Sequence, residues 1–327
     1  MLEEFYKGKK CLVTGASGSI GKKIVKQLIK FDVELIKAFD NNETALFDLE
    51  NEINSPKLKS FIGDVRDLRR LTNVLKDVDI VFHAAAYKHV PLCEYNPYDA
   101  VQTNVGGTQN VIDAAIECNV GKVILISTDK AANPVNVMGA TKLLAERLII
   151  SSNLYDVNEG TVFSCVRFGN VLNSRGSVIP LFKNQIKKGG PITITDTEMT
   201  RFVMHMHEAA KLILSAANMA KGGEIFILKM PSINITDLAE AMVEYYGSDY
   251  GYKPEDIEMK IIGKRMGEKL YEELITPNEN IYAYEMDELF IIKNNQYNED
   301  YPTIIYNSKD AKKLTKEEII KFLEELE

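Results

Sequence analysis

The chain has 327 residues, 45% of them apolar and 26% charged, with a formal net charge of -8. That length can bury a substantial core as one large domain or two unequal ones. The acidic balance argues against a nucleic-acid binder, and no apolar run approaches the roughly 20 residues of a membrane helix.

The first residues, Met1-Leu2-Glu3-Glu4-Phe5, are acidic and lack a signal-type apolar region, so a cytoplasmic location is the default expectation. Lys10-Cys11-Leu12-Val13-Thr14 is a short apolar run that ends in Gly15-Ala16-Ser17-Gly18-Ser19-Ile20-Gly21. Residues 20–29 then show helical periodicity. A glycine turn between strand and helix lets the backbone approach a pyrophosphate at the positive helix N-terminus. The Gly-x-x-Gly-x-x-Gly spacing therefore places Gly15, Ser17, Gly18, Ser19, Ile20 and Gly21 around a dinucleotide. Residues 35–39 read as a second strand, and Asp40 ends it. A carboxylate there can accept both adenosine ribose hydroxyls and would repel a 2′-phosphate. Asn41, Asn42 and Glu43 offer no arginine for such a phosphate, so NAD is favoured over NADP.

Residues 42–52 read as a helix. Gly63-Asp64-Val65-Arg66-Asp67 follows a third strand. Asp64 is placed for the adenine amino group and Val65 for the ring face, with an Asx-turn as the plainer alternative. After a strand at 80–82 come His83-Ala84-Ala85-Ala86. The small side chains of Ala84, Ala85 and Ala86 let the backbone run close to a cofactor, while His83 reads as structural. A long helix over about 100–118, a strand at 123–126 and a helix at 137–151 follow. The alternation predicts an α/β fold: a Rossmann-type doubly wound parallel sheet with crossover helices on both faces.

The rhythm changes after the run at 161–167. Loops are expected at Asn173-Ser174-Arg175-Gly176 and Lys188-Gly189-Gly190-Pro191. The expected division is a NAD(P)-binding domain over 1–170 and, over 171–327, mainly a smaller α/β substrate-binding lobe with a C-terminal extension. Segments near 205–245 are candidates to return to the main sheet. Thr315-Lys316-Glu317-Glu318 is a capping box for a last helix over about 316–326. His205-Met206-His207 lacks a carboxylate cluster beside it, so no metal site is expected. Cys11, Cys93, Cys118 and Cys165 make no Cys-x-x-Cys pair and read as packing thiols.

Ser127-Thr128-Asp129-Lys130 follows the strand at 123–126, at the edge where open parallel sheets bind ligands. An adjacent carboxyl and amine can serve elimination chemistry if desolvation moves their pKa values towards each other. The alternative is a surface Asp-Lys pair. Downstream, Met138 stands four residues before Lys142.

Together these residues resemble the extended short-chain dehydrogenase/reductase family. That family normally carries tyrosine as acid/base at the position of Met138; a thioether has no proton to give. Further blocks resemble CapD-like polysaccharide-biosynthesis proteins. They include His83-Ala84-Ala85-Ala86-Tyr87-Lys88-His89-Val90-Pro91-Leu92, Asn104-Val105-Gly106-Gly107-Thr108 and Ser127-Thr128-Asp129-Lys130-Ala131. Arg167-Phe168-Gly169-Asn170-Val171, Gly176-Ser177-Val178-Ile179-Pro180, Met199-Thr200-Arg201-Phe202, Gly223-Glu224-Ile225-Phe226 and Gly267-Glu268-Lys269-Leu270-Tyr271-Glu272 extend the match.

The resemblance implies a UDP-N-acetylglucosamine 4,6-dehydratase serving surface glycans or protein glycosylation. Its reaction oxidises carbon 4, eliminates water across carbons 5 and 6, and returns hydride to carbon 6. Some members carry methionine where Met138 stands, so activity is compatible with it. By this resemblance Lys130 is the base at carbon 5. Asp129 takes the carbon 4 hydroxyl proton and then gives it to the leaving hydroxyl. Thr128 bonds the carbon 4 oxygen, Lys142 holds the nicotinamide ribose, and Met138 shapes the pocket. Asn104 joins the cofactor-binding set. Lys88, His89, Asn170, Arg175, Arg201, Arg265 and Glu268 are candidate substrate contacts, although His89 could be a packed loop residue and each arginine a surface ion pair. A homo-oligomer is expected. The balance of motifs leans to retention at carbon 5: Asp40, Met138 and Leu270-Tyr271-Glu272-Glu273-Leu274 resemble retaining members. Pro231-Ser232 and Phe290-Ile291-Ile292 resemble inverting ones. The rivals are a sugar-nucleotide 4-epimerase or reductase, and a catalytically silent NAD-binding sensor or scaffold.

Overall fold

The computed structural model describes residues 2–172, 177–293, 304 and 306–326. Its main sheet contains β1 Lys10–Thr14, β2 Leu35–Asp40, β3 Leu58–Ile62, β4 Ile80–His83, β5 Lys122–Ile126, β6 Val162–Arg167, β7 Glu224–Leu228, β8 Ala283–Met286 and β9 Leu289–Lys293. They lie in the order β8-β9-β7-β6-β5-β4-β1-β2-β3. β1 to β7 are parallel neighbours, and β9 and β8 add antiparallel at the β7 edge. β1 pairs with both β2 and β4, so the chain reverses direction across the sheet there. Such a switch point opens a crevice at the carboxyl ends of the strands. The expected doubly wound α/β fold is present.

Central strands are buried on both faces, which is why they read as apolar runs and not as alternation. Every residue of β4 is buried. The helix Ser19–Leu28 turns Gly21, Ile24, Val25 and Leu28 onto the sheet. The helix Glu43–Ile53 starts where the Asn42 side chain accepts from Ala45 N, and ends at Asn54 in the left-handed region. Val137–Ser151 occupies the expected span, capped by the Asn136 side chain. The helix expected over about 100–118 is not uniform. Pro97–Ala100 leads into a π-helical stretch, Val101–Gly106, before α-helix resumes at Gly107–Glu117. The wider turn buries Thr103 and Asn104 together.

A second core gathers Ile179, Phe182, Ile192, Leu238, Met242 and Leu323, among others. The helices Ile235–Tyr246 and Lys316–Glu324 pack together there. Met206–Met219 and β7 instead join the main core. The chain thus crosses back to the large sheet at 206–228, and again at 283–293, beyond the segment near 205–245 expected to return. The last helix carries its capping box as expected, with Thr315 accepting from Glu318 N. Among the described residues no helix is long and apolar enough to cross a membrane.

Candidate functional site

A cavity of about 1060 Å³ opens over the carboxyl ends of β1, β4, β5 and β6. One end is the glycine turn. Gly15 has φ +64, and a Cβ there would lie 2.7 Å from Ala85 N; a Cβ on Gly21 would lie 2.1 Å from the Gly15 carbonyl oxygen. Only glycine lets the turn, the helix start and the Ala84-Ala85 backbone meet this closely. Ser17, Gly18, Ser19, Ile20 and Ala86 also line this end. Asp40 faces it, with Oδ2 accepting from Ser17 N at 3.0 Å and Ser17 Oγ at 2.8 Å. Asp64 and Val65 line the same end. Asp64 also forms the Asx-turn, accepting from Arg66 N at 2.9 Å, and Arg66 holds its carboxyl below the ordinary range. The cradle, the helix N-terminus and the acid at the β2 end fit a dinucleotide.

His83 is structural. Its ring nitrogens meet Thr14 Oγ1 at 2.7 Å and Thr108 Oγ1 at 3.1 Å, and burial pushes its pKa down to about 3. Asn104 corrects an expectation: it does not line the cavity. Its amide brackets Tyr87, accepting from Tyr87 N at 2.8 Å and donating to Tyr87 O at 3.0 Å, and it donates to Thr141 Oγ1. It shapes the loop that carries Ala86, Lys88 and His89, all three of which line the cavity.

The other end centres on the 3₁₀ turn Asp129–Ala131 that follows β5. Asp129 is fully buried. Its Oδ1 accepts from Thr128 Oγ1 at 2.8 Å and from Lys130 Nζ at 2.9 Å. Thr128 and Lys130 line the cavity, and Asp129 sits behind them. Asp129 does not itself line the cavity, and the Thr128 hydroxyl that it accepts from connects it to the wall. Burial works to neutralise Lys130, but Asp129 and Glu272, opposed by Arg201, hold its ammonium pKa above the ordinary value. Met138 and Lys142, one helical turn apart, share the cavity-facing side of Val137–Ser151. Met138 packs with Cys93 and Ala100. Lys142 Nζ donates to Ile126 O at 2.6 Å, and burial, opposed by Glu146 and Cys165, pushes its pKa down to about 8.

Of the substrate candidates, Asn170, Arg201 and Glu268 line the cavity along with Lys88 and His89. Asn170 Oδ1 accepts from Lys130 Nζ at 3.3 Å. Arg201 spends its terminal nitrogens on the carbonyls of Thr200, Lys269 and Leu270. Glu268 Oε2 accepts from the backbone N of Arg265, not from its guanidinium. Arg265 is exposed and does not line the cavity. Arg175 lies outside the described residues.

The model for a family described as polysaccharide biosynthesis protein matches residues 11–294. The chain belongs to this family. It is 61% identical to an uncharacterized membrane protein of Methanocaldococcus jannaschii, over 99% of this chain and 98% of that one. It is 43% identical to a UDP-N-acetylglucosamine 4,6-dehydratase (inverting) of Campylobacter jejuni, over 92% of this chain and 85% of the relative. Among solved structures it resembles Pen from Bacillus thuringiensis, with a TM-score of 0.93 and 42% identity over 98% of both chains.

Two residues of the site escape sequence reasoning. Gly139 lies inside a helix, where glycine costs about 1 kcal/mol relative to alanine. A Cβ there would sit 2.3 Å from Lys130 O, so glycine lets the helix press against the turn that aims Lys130. That misplaced glycine was the available signal. Glu272 lines the cavity, 3% exposed, with Oε1 3.7 Å from Lys130 Nζ. It belongs to a quoted motif, but its partner lies far along the chain and no spacing announces it.

Proposed function

We propose that the chain is an NAD-dependent nucleotide-sugar 4,6-dehydratase that acts on UDP-N-acetylglucosamine. The observation that carries this reading is the Thr128-Asp129-Lys130 group at the cavity end opposite a dinucleotide cradle. NAD, held by the Gly15–Gly21 turn, Asp40 and Lys142, would supply the hydride acceptor for carbon 4 and the donor for carbon 6. Thr128 takes the carbon 4 hydroxyl proton while passing its own to Asp129 Oδ1. The same route in reverse protonates the departing carbon 6 hydroxyl. Lys130 removes the carbon 5 proton, a step for which the amine must first be neutral. Each such transfer is worth about 10²–10⁴-fold. Once Asp129 is protonated, Lys130 loses its nearest counter-charge, so its ammonium becomes more acidic at the moment a base is required. Met138 shapes the pocket, and Lys88, His89, Asn170 and Glu268 face the nucleotide sugar. In this reading residues 1–170 form the cofactor-binding part and 171–327 mainly the sugar-nucleotide lobe.

The name of the Campylobacter relative leans to inversion at carbon 5, against the motif balance that leans to retention. A 4-epimerase or reductase would need a phenol near the nicotinamide. Tyr6 is committed elsewhere, donating to Leu214 O at 2.8 Å. Among the described residues, Tyr87 is the one tyrosine on the cavity wall. Incubation with UDP-N-acetylglucosamine and NAD should yield a product lighter by one water, and NMR of that product formed in deuterated water reads its configuration. An isomer of unchanged mass would favour the epimerase, and binding of both ligands without turnover the silent scaffold.

A further inference from the structure

The proposed reaction leaves one proton unplaced. Lys130 rests as an ammonium, and a base at carbon 5 must be an amine. Releasing that proton to water would cost heavily at neutral pH: a lysine of ordinary pKa is neutral in roughly one molecule in 2,500 at pH 7.

Glu272 stands where an internal acceptor is needed. It is 3% exposed, and Oε1 lies 3.7 Å from Lys130 Nζ and 3.8 Å from Arg201 Nε. Its Oε2 is buried with no hydrogen-bond partner among the described residues. Its backbone is fixed on both sides by Ser308: Glu272 N donates to Ser308 Oγ at 2.9 Å, and Ser308 N donates to Glu272 O at 2.8 Å. A buried carboxylate with an unsatisfied oxygen, set beside a lysine, is costly as a purely structural element.

We propose that Glu272 is a positioning residue that takes the Lys130 ammonium proton before carbon 5 is deprotonated and returns it at the end of the cycle. The inference rests on the dehydratase reading. The protons balance. Asp129 gains the carbon 4 hydroxyl proton through Thr128. Lys130 passes one proton to Glu272, leaving amine and carboxylic acid. The amine takes the carbon 5 proton as Asp129, again through Thr128, protonates the leaving hydroxyl, and water departs. When hydride returns to carbon 6, Lys130 gives its proton to carbon 5 and Glu272 restores the ammonium. Four charged groups face Glu272: Lys130 and Asp129 on the 3₁₀ turn, Arg201 on the strand Thr200–Met204, and Lys269 on its own loop. Burial raises the carboxyl pKa, Asp129 adds to the rise, and the three cations oppose it, with a net rise. Protonating Asp129 removes one anion and so makes Lys130 the readier donor.

The test is the pH dependence of water loss in single turnovers of NAD-loaded enzyme with UDP-N-acetylglucosamine. In the parent the proton stays inside, so the rate is flat across the neutral range. Glu272→Gln should be slower by about 10²–10³-fold at pH 7 and gain about tenfold per pH unit. Glu272→Asp, which keeps a carboxyl, should stay flat. A Glu272→Gln profile parallel to the parent's overturns the proposal. The unmodified enzyme decides the matter if the variant does not fold: in weakly buffered indicator dye it should release no proton during a turnover, and release of one per site overturns the inference. Failure of the parent to lose water at all is a different result, visible before any variant is made. It sinks the dehydratase reading and this inference with it.

Discussion

Asp129→Asn is the sharpest test of the proton route. The side chain is fully buried and accepts two hydrogen bonds on Oδ1. Asparagine keeps its shape and one acceptor but cannot ionise or carry the proton. At the 2.9 Å separation from Lys130 Nζ, an effective dielectric near 20 gives an ion-pair attraction of about 6 kcal/mol. Much of that offsets the desolvation of two buried charges, so the net loss of fold stability is smaller, about 1–3 kcal/mol, since Lys130 can shed its proton. The catalytic loss is larger, because Thr128 then has no acid or base behind it. Dehydration of UDP-N-acetylglucosamine, followed by mass, should fall by about 10²–10⁴-fold. NAD affinity should stay within a fewfold, because the glycine cradle and Asp40 lie at the other end of the cavity. Turnover within tenfold of the parent, with the fold intact, would refute the assignment of Asp129.

Met138→Ala should lower stability by about 2–4 kcal/mol through lost packing on Cys93 and Ala100. It should spare most of the turnover, and a loss beyond about 10⁴-fold would show a chemical role. Tyr87→Phe should dehydrate at nearly the parent rate, and a drop beyond about 10²-fold would return a phenol to the mechanism. Gly139→Ala should cost about 1–3 kcal/mol in urea unfolding and slow turnover by displacing the Lys130 turn; unchanged stability and rate would contradict the 2.3 Å approach to Lys130 O. Lys142 supplies a pH signature. Its folded pKa, about 8, lies below the ordinary 10.5, so between these values the unfolded chain binds more protons and its contribution to stability rises with pH. Urea unfolding of the ligand-free protein at pH 8 and pH 10 should show a gain that Lys142→Met lacks; an equal gain in the variant would mean that the lysine is not depressed.

Local patterning carried much of the fold. The apolar runs of β1, β4 and β5, the caps at Asn42, Asn136 and Thr315, and the glycine turn with Asp40 behind it are set by neighbours within a few residues. The adjacency of Thr128, Asp129 and Lys130 is likewise covalent, so the composition of the group proposed to handle protons could be read directly. Their division of labour could not. That Asp129 lies behind its two neighbours depends on the 3₁₀ turn after β5 and on the helix pressing against it at Gly139.

The misses share one cause. Asn104 sits in a family block, yet the π-helical turn aims its amide at Tyr87 and Thr141 and not at the cavity. Arg265 has the right chemistry for a phosphate, yet it is exposed and does not line the cavity. Residues 283–293 lie late in the chain, yet β9 is hydrogen-bonded to β7 because the sheet still had an open edge there. Sequence alone determined which groups are present and which local elements they prefer, since those follow from spacing and short-range sterics. Tertiary structure decided which carboxylate meets which amine: Glu272, in the loop before Glu273–Ile275, meets Lys130 on the turn after β5, and burial together with their mutual charges shifts both groups.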